Sequence, residues 1–164
     1  MKSAIPVKRV KEGKPDDQKK PVRVGKAPVH GKGVFATRKI RKGARIIEYT
    51  GERIPWKEAQ ELPPRDPENP YHTFFFSLDD GNVINGAAGG NESRWINHSC
   101  EPNCETGERR GRIYVFALRS LEAGEELFYD YRLEPAEKRT KKLERIFRCH
   151  CGSASCRGTM LDLQ

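Results

Sequence analysis

The chain has 164 residues, 35% hydrophobic and 33% charged, which suits one domain with a modest core. No run approaches the ~20 apolar residues of a membrane span and no apolar leader marks secretion, so a soluble, intracellular protein is expected. The net charge of +8 is concentrated early, with nine Lys/Arg against three Asp/Glu in residues 1–26 and twenty-two against twenty in residues 27–164, which excludes a uniformly basic nucleic-acid surface.

Residues 1–20 show no apolar periodicity and are expected to be a basic, disordered tail. Such a tail also suits contact with nucleic acid, chromatin or an acidic partner. Val22 to Val24 begins ordered chain. Gly31 to Ala36 (GKGVFA) reads as a glycine turn entering a strand, and Arg45 to Tyr49 (RIIEY) as a second strand. Pro55 to Leu62 is a predicted short helix, with Pro at its first position and Pro63 and Pro64 as its stop. Residues 64–70 form a loop. Phe74 to Leu78 is strand-like, turns at residues 79–82 and returns through Val83 and Ile84. Ile113 to Ala117 is a strong strand. Pro135 to Phe147 has a helical pattern with Leu143, Ile146 and Phe147 on one face. There is no internal repeat. Short strands with glycine turns and few helices indicate a mostly β, α+β domain, not alternating β-α units.

The five cysteines are Cys100, Cys104, Cys149, Cys151 and Cys156. An odd count without a secretion signal argues against a disulfide framework. Cys149, Cys151 and Cys156 crowd three thiolates into eight residues, and Gly152 permits the turn between them. Zinc in a closed structural site wants four ligands. The fourth is open on these residues alone: Cys100, Cys104 or His150, of which His150 is poorly placed between two ligands.

Three strings then read together. Arg94 to Cys104 is RWINHSCEPNC, Gly124 to Tyr131 is GEELFYDY, and Cys149 to Cys156 is CHCGSASC. In that order they resemble the core and zinc-binding tail of SET-domain protein-lysine methyltransferases. With the weaker Gly31–Gly33 turn and Glu48 to Gly51 (EYTG), the resemblance covers about residues 22–160. It implies a SET fold of several small sheets with knot-like C-terminal threading and a zinc-bound tail. The implied organisation is a tail over 1–20, a SET domain over 21–133 with an insert at about 52–73, a helical linker over 134–146 and a zinc segment over 147–164. By resemblance, Cys100 completes the zinc site with Cys149, Cys151 and Cys156, and Cys104 stays free. S-adenosylmethionine would be met by Lys32, Gly33, Arg94, Asn97 and His98. Tyr131 would be the catalytic tyrosine, and Tyr129 the position that sets the product, where Tyr implies mainly monomethylation. Phe74 stands where many relatives carry a channel tyrosine, and Tyr71 is a candidate substitute.

Tyr129 and Tyr131, two residues apart, face one way in extended chain, and each pairs an apolar body with an oriented hydroxyl. The implied activity is methylation of a lysine in an extended, basic, histone-like peptide, compatible with a nuclear or chromatin location. The rival readings are a catalytically silent SET-like module that binds chromatin or protein, and a small zinc-containing nucleic-acid-binding protein.

Overall fold

The computed structural model describes residues 3–6 and 20–163. Among the described residues twelve short strands dominate: β1 (Ser3–Ala4), β2 (Val22–Ala27), β3 (Gly31–Ala36), β4 (Arg45–Tyr49), β5 (Glu52–Pro55), β6 (Phe75–Ser77), β7 (Asn82–Asn85), β8 (Asn97–His98), β9 (Cys104–Arg109), β10 (Arg112–Ala117), β11 (Phe128–Tyr129) and β12 (Glu134–Pro135). Two helices of six residues, α1 (Trp56–Glu61) and α2 (Lys141–Ile146), complete the set. The strands form five small sheets, ordered β2-β3, β4-β10-β9, β5-β7-β6, β8-β11 and β1-β12. This is the expected mostly β, α+β class. Among the described residues, no helix is long and apolar enough to cross a membrane.

Pattern explains most of these elements. In β10 the run Ile113, Tyr114, Val115, Phe116 is β-branched and aromatic, and Ile113, Val115 and Phe116 are buried, as a central strand requires. It pairs with β4 on one side and β9 on the other. The β9–β10 hairpin turns through Arg110 and Gly111, both at positive φ, the conformation that suits a two-residue connection. In β6 the side chains alternate. Phe75 packs with Ala4, Ile54, Ala59 and Val83, whereas Phe76 enters the main core beside Tyr49, Ile96, Leu127 and Tyr129.

Three expectations are corrected. The helix predicted from Pro135 to Phe147, and with it a helical linker over 134–146, shrinks to Lys141–Ile146. Pro135 instead ends β12, and the helix waits for Thr140, whose side chain caps it by accepting from Leu143 N–H at 3.2 Å. The insert placed at about 52–73 opens with a strand, since Glu52–Pro55 pairs with β7, so Pro55 precedes α1 as its N-cap rather than occupying its first turn. The expected disordered tail over 1–20 falls mostly outside the described residues, but Ser3, Ala4 and Ile5 are buried parts of the fold.

Residues 126–129 run through the centre. Leu127 is fully buried, and its N–H donates to Val34 O at 2.8 Å. We expect Leu127→Ala to cost about 2–5 kcal/mol, read as a lower urea midpoint with an unchanged slope. A cost under about 1 kcal/mol would mean that this segment is not held by the core.

Candidate functional site

The string RWINHS is held by local bonds. Asn91 caps a 3-10 turn over Glu92–Trp95, its side chain accepting from Ser93 N–H at 3.1 Å. Its amide also donates to Glu48 O at 2.8 Å, fixing the turn to β4. Ile96 is fully buried and anchors the next residues. Asn97 and His98 then form β8, which lies parallel to Phe128 and Tyr129 of β11. This two-residue ladder is reinforced by Asn103, whose side chain accepts from Phe128 N–H and donates to Glu126 O, both at 2.8 Å.

A cavity of about 360 Å³ opens beside the ladder, within the usual range for a small-molecule site. Lys32, Arg94, Asn97, His98, Tyr129 and Tyr131 all border it. Gly33 does not. It lies in β3, where a Cβ would meet the Glu126 carboxylate at 2.3 Å, so its lack of a side chain makes room for that group. Glu126 in turn accepts from the Asn97 amide at 2.9 Å, and the same amide donates to Lys32 O at 2.7 Å.

One end of the cavity is cationic. The Lys32 ammonium sits 4.4 Å from the centre of the Trp95 ring, and Arg94 lies over the same ring. Arg94 is held through one nitrogen, donating to Gly86 O at 3.2 Å. Its buried Nε has no hydrogen-bond partner among the described residues. An orphan donor of this kind calls for an acceptor. A carboxylate fits it, and the neighbouring Lys32 ammonium favours an anionic group at this end.

The other end is built of tyrosines, with Tyr49 and Tyr129 buried and Tyr131 half-buried. The rings of Tyr129 and Tyr131 are 5.0 Å apart, and Phe74 and Tyr49 join them on the cavity wall. The Tyr131 hydroxyl donates to Ile96 O at 2.6 Å, and the Tyr49 hydroxyl to Phe74 O at 2.8 Å. Each oxygen has thus committed its only proton and is left as an acceptor. The Tyr129 hydroxyl has no hydrogen-bond partner among the described residues. Burial raises all three phenols well above their ordinary range, with the Glu126 charge adding to the effect on Tyr131. The wall is therefore neutral at physiological pH. Tyr71 stands apart from it, in a smaller adjoining cavity with Phe147, where their rings meet edge to face.

His98 joins this wall to the cysteines. Its Nδ1 accepts from Tyr131 N–H at 3.1 Å, which assigns the ring proton to Nε2, 3.4 Å from Cys100 Sγ. Burial lowers its pKa to about 4, opposed by Asp130 and assisted by Arg157, so the imidazole is neutral. Asp130 forms a bidentate pair with Arg157 at 2.8 and 2.9 Å. Burial raises the Asp130 pKa, but Arg157, His98 and Arg132 outweigh it and hold the carboxyl below its ordinary range.

The sulfurs of Cys100, Cys149, Cys151 and Cys156 lie within 4.8 Å of one another, with Cys100 and Cys149 3.7 Å apart. A zinc tetrahedron with ~2.3 Å bonds has sulfurs about 3.8 Å apart, so the four thiols fit that ion. Backbone N–H groups of Cys151, Arg157 and Gly158 point at Cys149, Cys100 and Cys156, each at 3.4 Å, as suits thiolates. Burial opposes ionisation of Cys151, but hydrogen bonds, first from the Ser153 hydroxyl, bring it down to about 5. Of the residues left open as a fourth ligand, Cys100 is the one grouped with the other three cysteines. Cys104 is fully buried and outside the cluster, where burial pushes its thiol up to about 12.

Sequence reasoning did not assign several cavity residues. Tyr49 and Trp95 lay inside the quoted strings EYTG and RWINHS, so their presence was visible but not their orientation. His30, Arg148 and His150 also border the cavity. No local pattern marks His30, and the other two flank Cys149, which itself lies on the rim.

Residues 31–132 match the SET domain family. The chain is 38% identical over 151 residues to a Candida albicans histone-lysine N-methyltransferase described as H3 lysine-4 specific, covering 86% of this chain and 14% of the relative. It is 38% identical over 147 residues to the Saccharomyces cerevisiae protein of the same description, covering 86% and 13%. It is 37% identical over 143 residues to human histone-lysine N-methyltransferase 2B, covering 85% and 5%. The chain thus spans about a seventh or less of the length of these relatives. With the family match covering most of the chain and the small-sheet fold in agreement, the chain belongs to the SET-domain family.

Proposed function

We propose that this chain is a protein-lysine N-methyltransferase that uses S-adenosylmethionine, acts on an extended histone tail, stops mainly at monomethyl-lysine and carries a structural zinc. The relatives' names make lysine 4 of histone H3 the first substrate to try, and a histone substrate would put the work at chromatin. The observation that carries this reading is that a cationic pocket and a wall of neutral tyrosines share one cavity.

Lys32, Arg94, Asn97 and His98 would hold the methyl donor, with Arg94 Nε at its carboxylate. When bound, S-adenosylmethionine supplies a methyl group on sulfonium, so that the lysine nitrogen forms the N–C bond while the S–C bond breaks, its electron pair staying on sulfur and one amine proton leaving to solvent. The chain's own task is to present a neutral amine. A free lysine has a pKa near ~10.4, so deprotonation at pH 7 costs about 4–5 kcal/mol. A largely apolar wall of neutral phenols withholds the solvation that an ammonium needs. The acceptor oxygens of Tyr49 and Tyr131 are placed to orient the remaining N–H or methyl C–H groups, a positioning role. The unpartnered Tyr129 hydroxyl can take the amine or hold a water, which crowds out a second methyl group.

Tyr131→Phe should lower kcat on the order of 10²-fold without changing the circular dichroism spectrum, in a radiolabel assay on core histones. Retained turnover would remove the hydroxyl from the reaction. Tyr129→Phe should shift the product from monomethyl to dimethyl, read by mass spectrometry; trimethyl product from the unmodified chain at early turnover would end the monomethyl reading.

The pH profile follows from the raised phenols. They stay protonated while the lysine loses its proton, so log(kcat/KM) should climb with a slope of about +1 from pH 7 to about 9. A falling limb below about pH 9 would mean that a cavity group ionises first. Metal analysis should find one zinc per chain, lost in Cys151→Ser together with methyl transfer. A chain free of metal and fully active would overturn the zinc assignment.

A further inference from the structure

β6 is the outer strand of its sheet, and an open strand edge invites pairing. Residues 3–5 cover it. Ile5 N–H donates to Phe75 O at 3.0 Å and Ser77 N–H donates to Ile5 O at 2.8 Å, a parallel bridge to Phe76. On the opposite side, Ser3 and Ala4 pair antiparallel with Pro135 and Glu134. Thr73 Oγ1 adds a bond to Ser3 O at 2.9 Å. The segment is thus a single strand threaded between β6 and β12. Pro6 follows, and a residue before proline is biased toward the extended region, so Ile5 is preset for this geometry.

The side chains alternate as in any strand. Ala4 packs with Phe75, Val83 and Ile54. Ile5 points the other way, into the main core with Tyr49, Phe76, Tyr129 and Leu133. It borders the tyrosine-walled cavity and is 7% exposed. Its aliphatic body can fill an apolar channel as a lysine stem would, but it carries no amine.

We propose that residues 3–6 are an intrachain pseudosubstrate: they occupy the strand-addition groove meant for the acceptor peptide, with Ile5 at the position of the acceptor lysine. This rests on reading the cavity as a lysine channel. Recognition by strand addition draws its affinity from main-chain bonds and its specificity from alternate side chains, and both are already satisfied here from within. An incoming peptide must displace the segment, so the chain is held in check until the segment is released.

Two measurements decide it. The first is fluorescence anisotropy of a labelled peptide of the histone H3 N-terminal tail, without methyl donor, on the full chain and on a chain lacking residues 2–6. Binding should tighten at least about tenfold on deletion; equal affinity, with both proteins folded by circular dichroism, would overturn the proposal. The second is Ile5→Lys in the full chain, which keeps the strand and offers an amine. With S-adenosylmethionine, intact-mass analysis should show methyl added at position 5, at a rate independent of protein concentration. The lysine nitrogen gains the methyl as the S–C bond breaks toward sulfur, and a proton leaves to solvent. An unmodified position 5 in a preparation that still methylates histones would overturn the pseudosubstrate. If no protein methylates histones, the functional reading falls, while the anisotropy comparison still decides whether the segment blocks the groove.

Discussion

The parallel contact between Asn97–His98 and Phe128–Tyr129 is the joint on which the site depends. A two-residue ladder supplies little stability of its own, so the protein surrounds it with side-chain bonds. The Asn103 amide completes the backbone of Glu126 and Phe128, Tyr131 closes onto Ile96 O, and His98 Nδ1 takes the Tyr131 N–H. The ladder sets Asn97 and His98 beside Tyr129, so that all three border one cavity. Cys100 lies two residues beyond His98, so the cysteine cluster inherits its position from the same joint.

The two ends of the cavity divide the electrostatic work. Arg94 and Lys32 collect positive charge around Trp95, while the tyrosine end has every phenol held neutral by burial. Negative charge near the site is confined to groups already paired: Glu126 accepts from Asn97, and Asp130 is gripped by Arg157. A buried charge survives only when paired in this way. The Asp130–Arg157 pair also clamps the chain next to Tyr131 to the segment carrying Cys156.

What could be read from the sequence was what is dense and local. RWINHSC, ELFYDY and the three clustered cysteines carried the site, and Arg45–Tyr49 and Ile113–Ala117 carried two strands of the central sheet. Long-range partners were hidden. The strand Cys104–Arg109 is polar and glycine-interrupted, and it exists because β10 supplies its hydrogen bonds. Pro135 looked like a helix start, but its neighbours are committed to Ser3 and Ala4, more than a hundred residues away. Residues 3–5 have no pattern of their own; their order comes from the edges of β6 and β12. Cys100 and Cys104 could not be separated by spacing, whereas the fold places Cys104 in β9, outside the group that holds Cys100.

The cysteine cluster also bears on the unfolded chain. Cys100 and Cys149 are 49 residues apart, and a metal held by both closes that span into a loop. In the chain-entropy account of cross-links, a loop of this length stabilises the native state by about 4 kcal/mol, because the unfolded ensemble loses freedom while the folded one loses none. The closed span runs through β9, β10 and β11. A metal at the edge of the cavity would therefore act as a topological staple on the stretch of chain that supplies two strands of the central sheet.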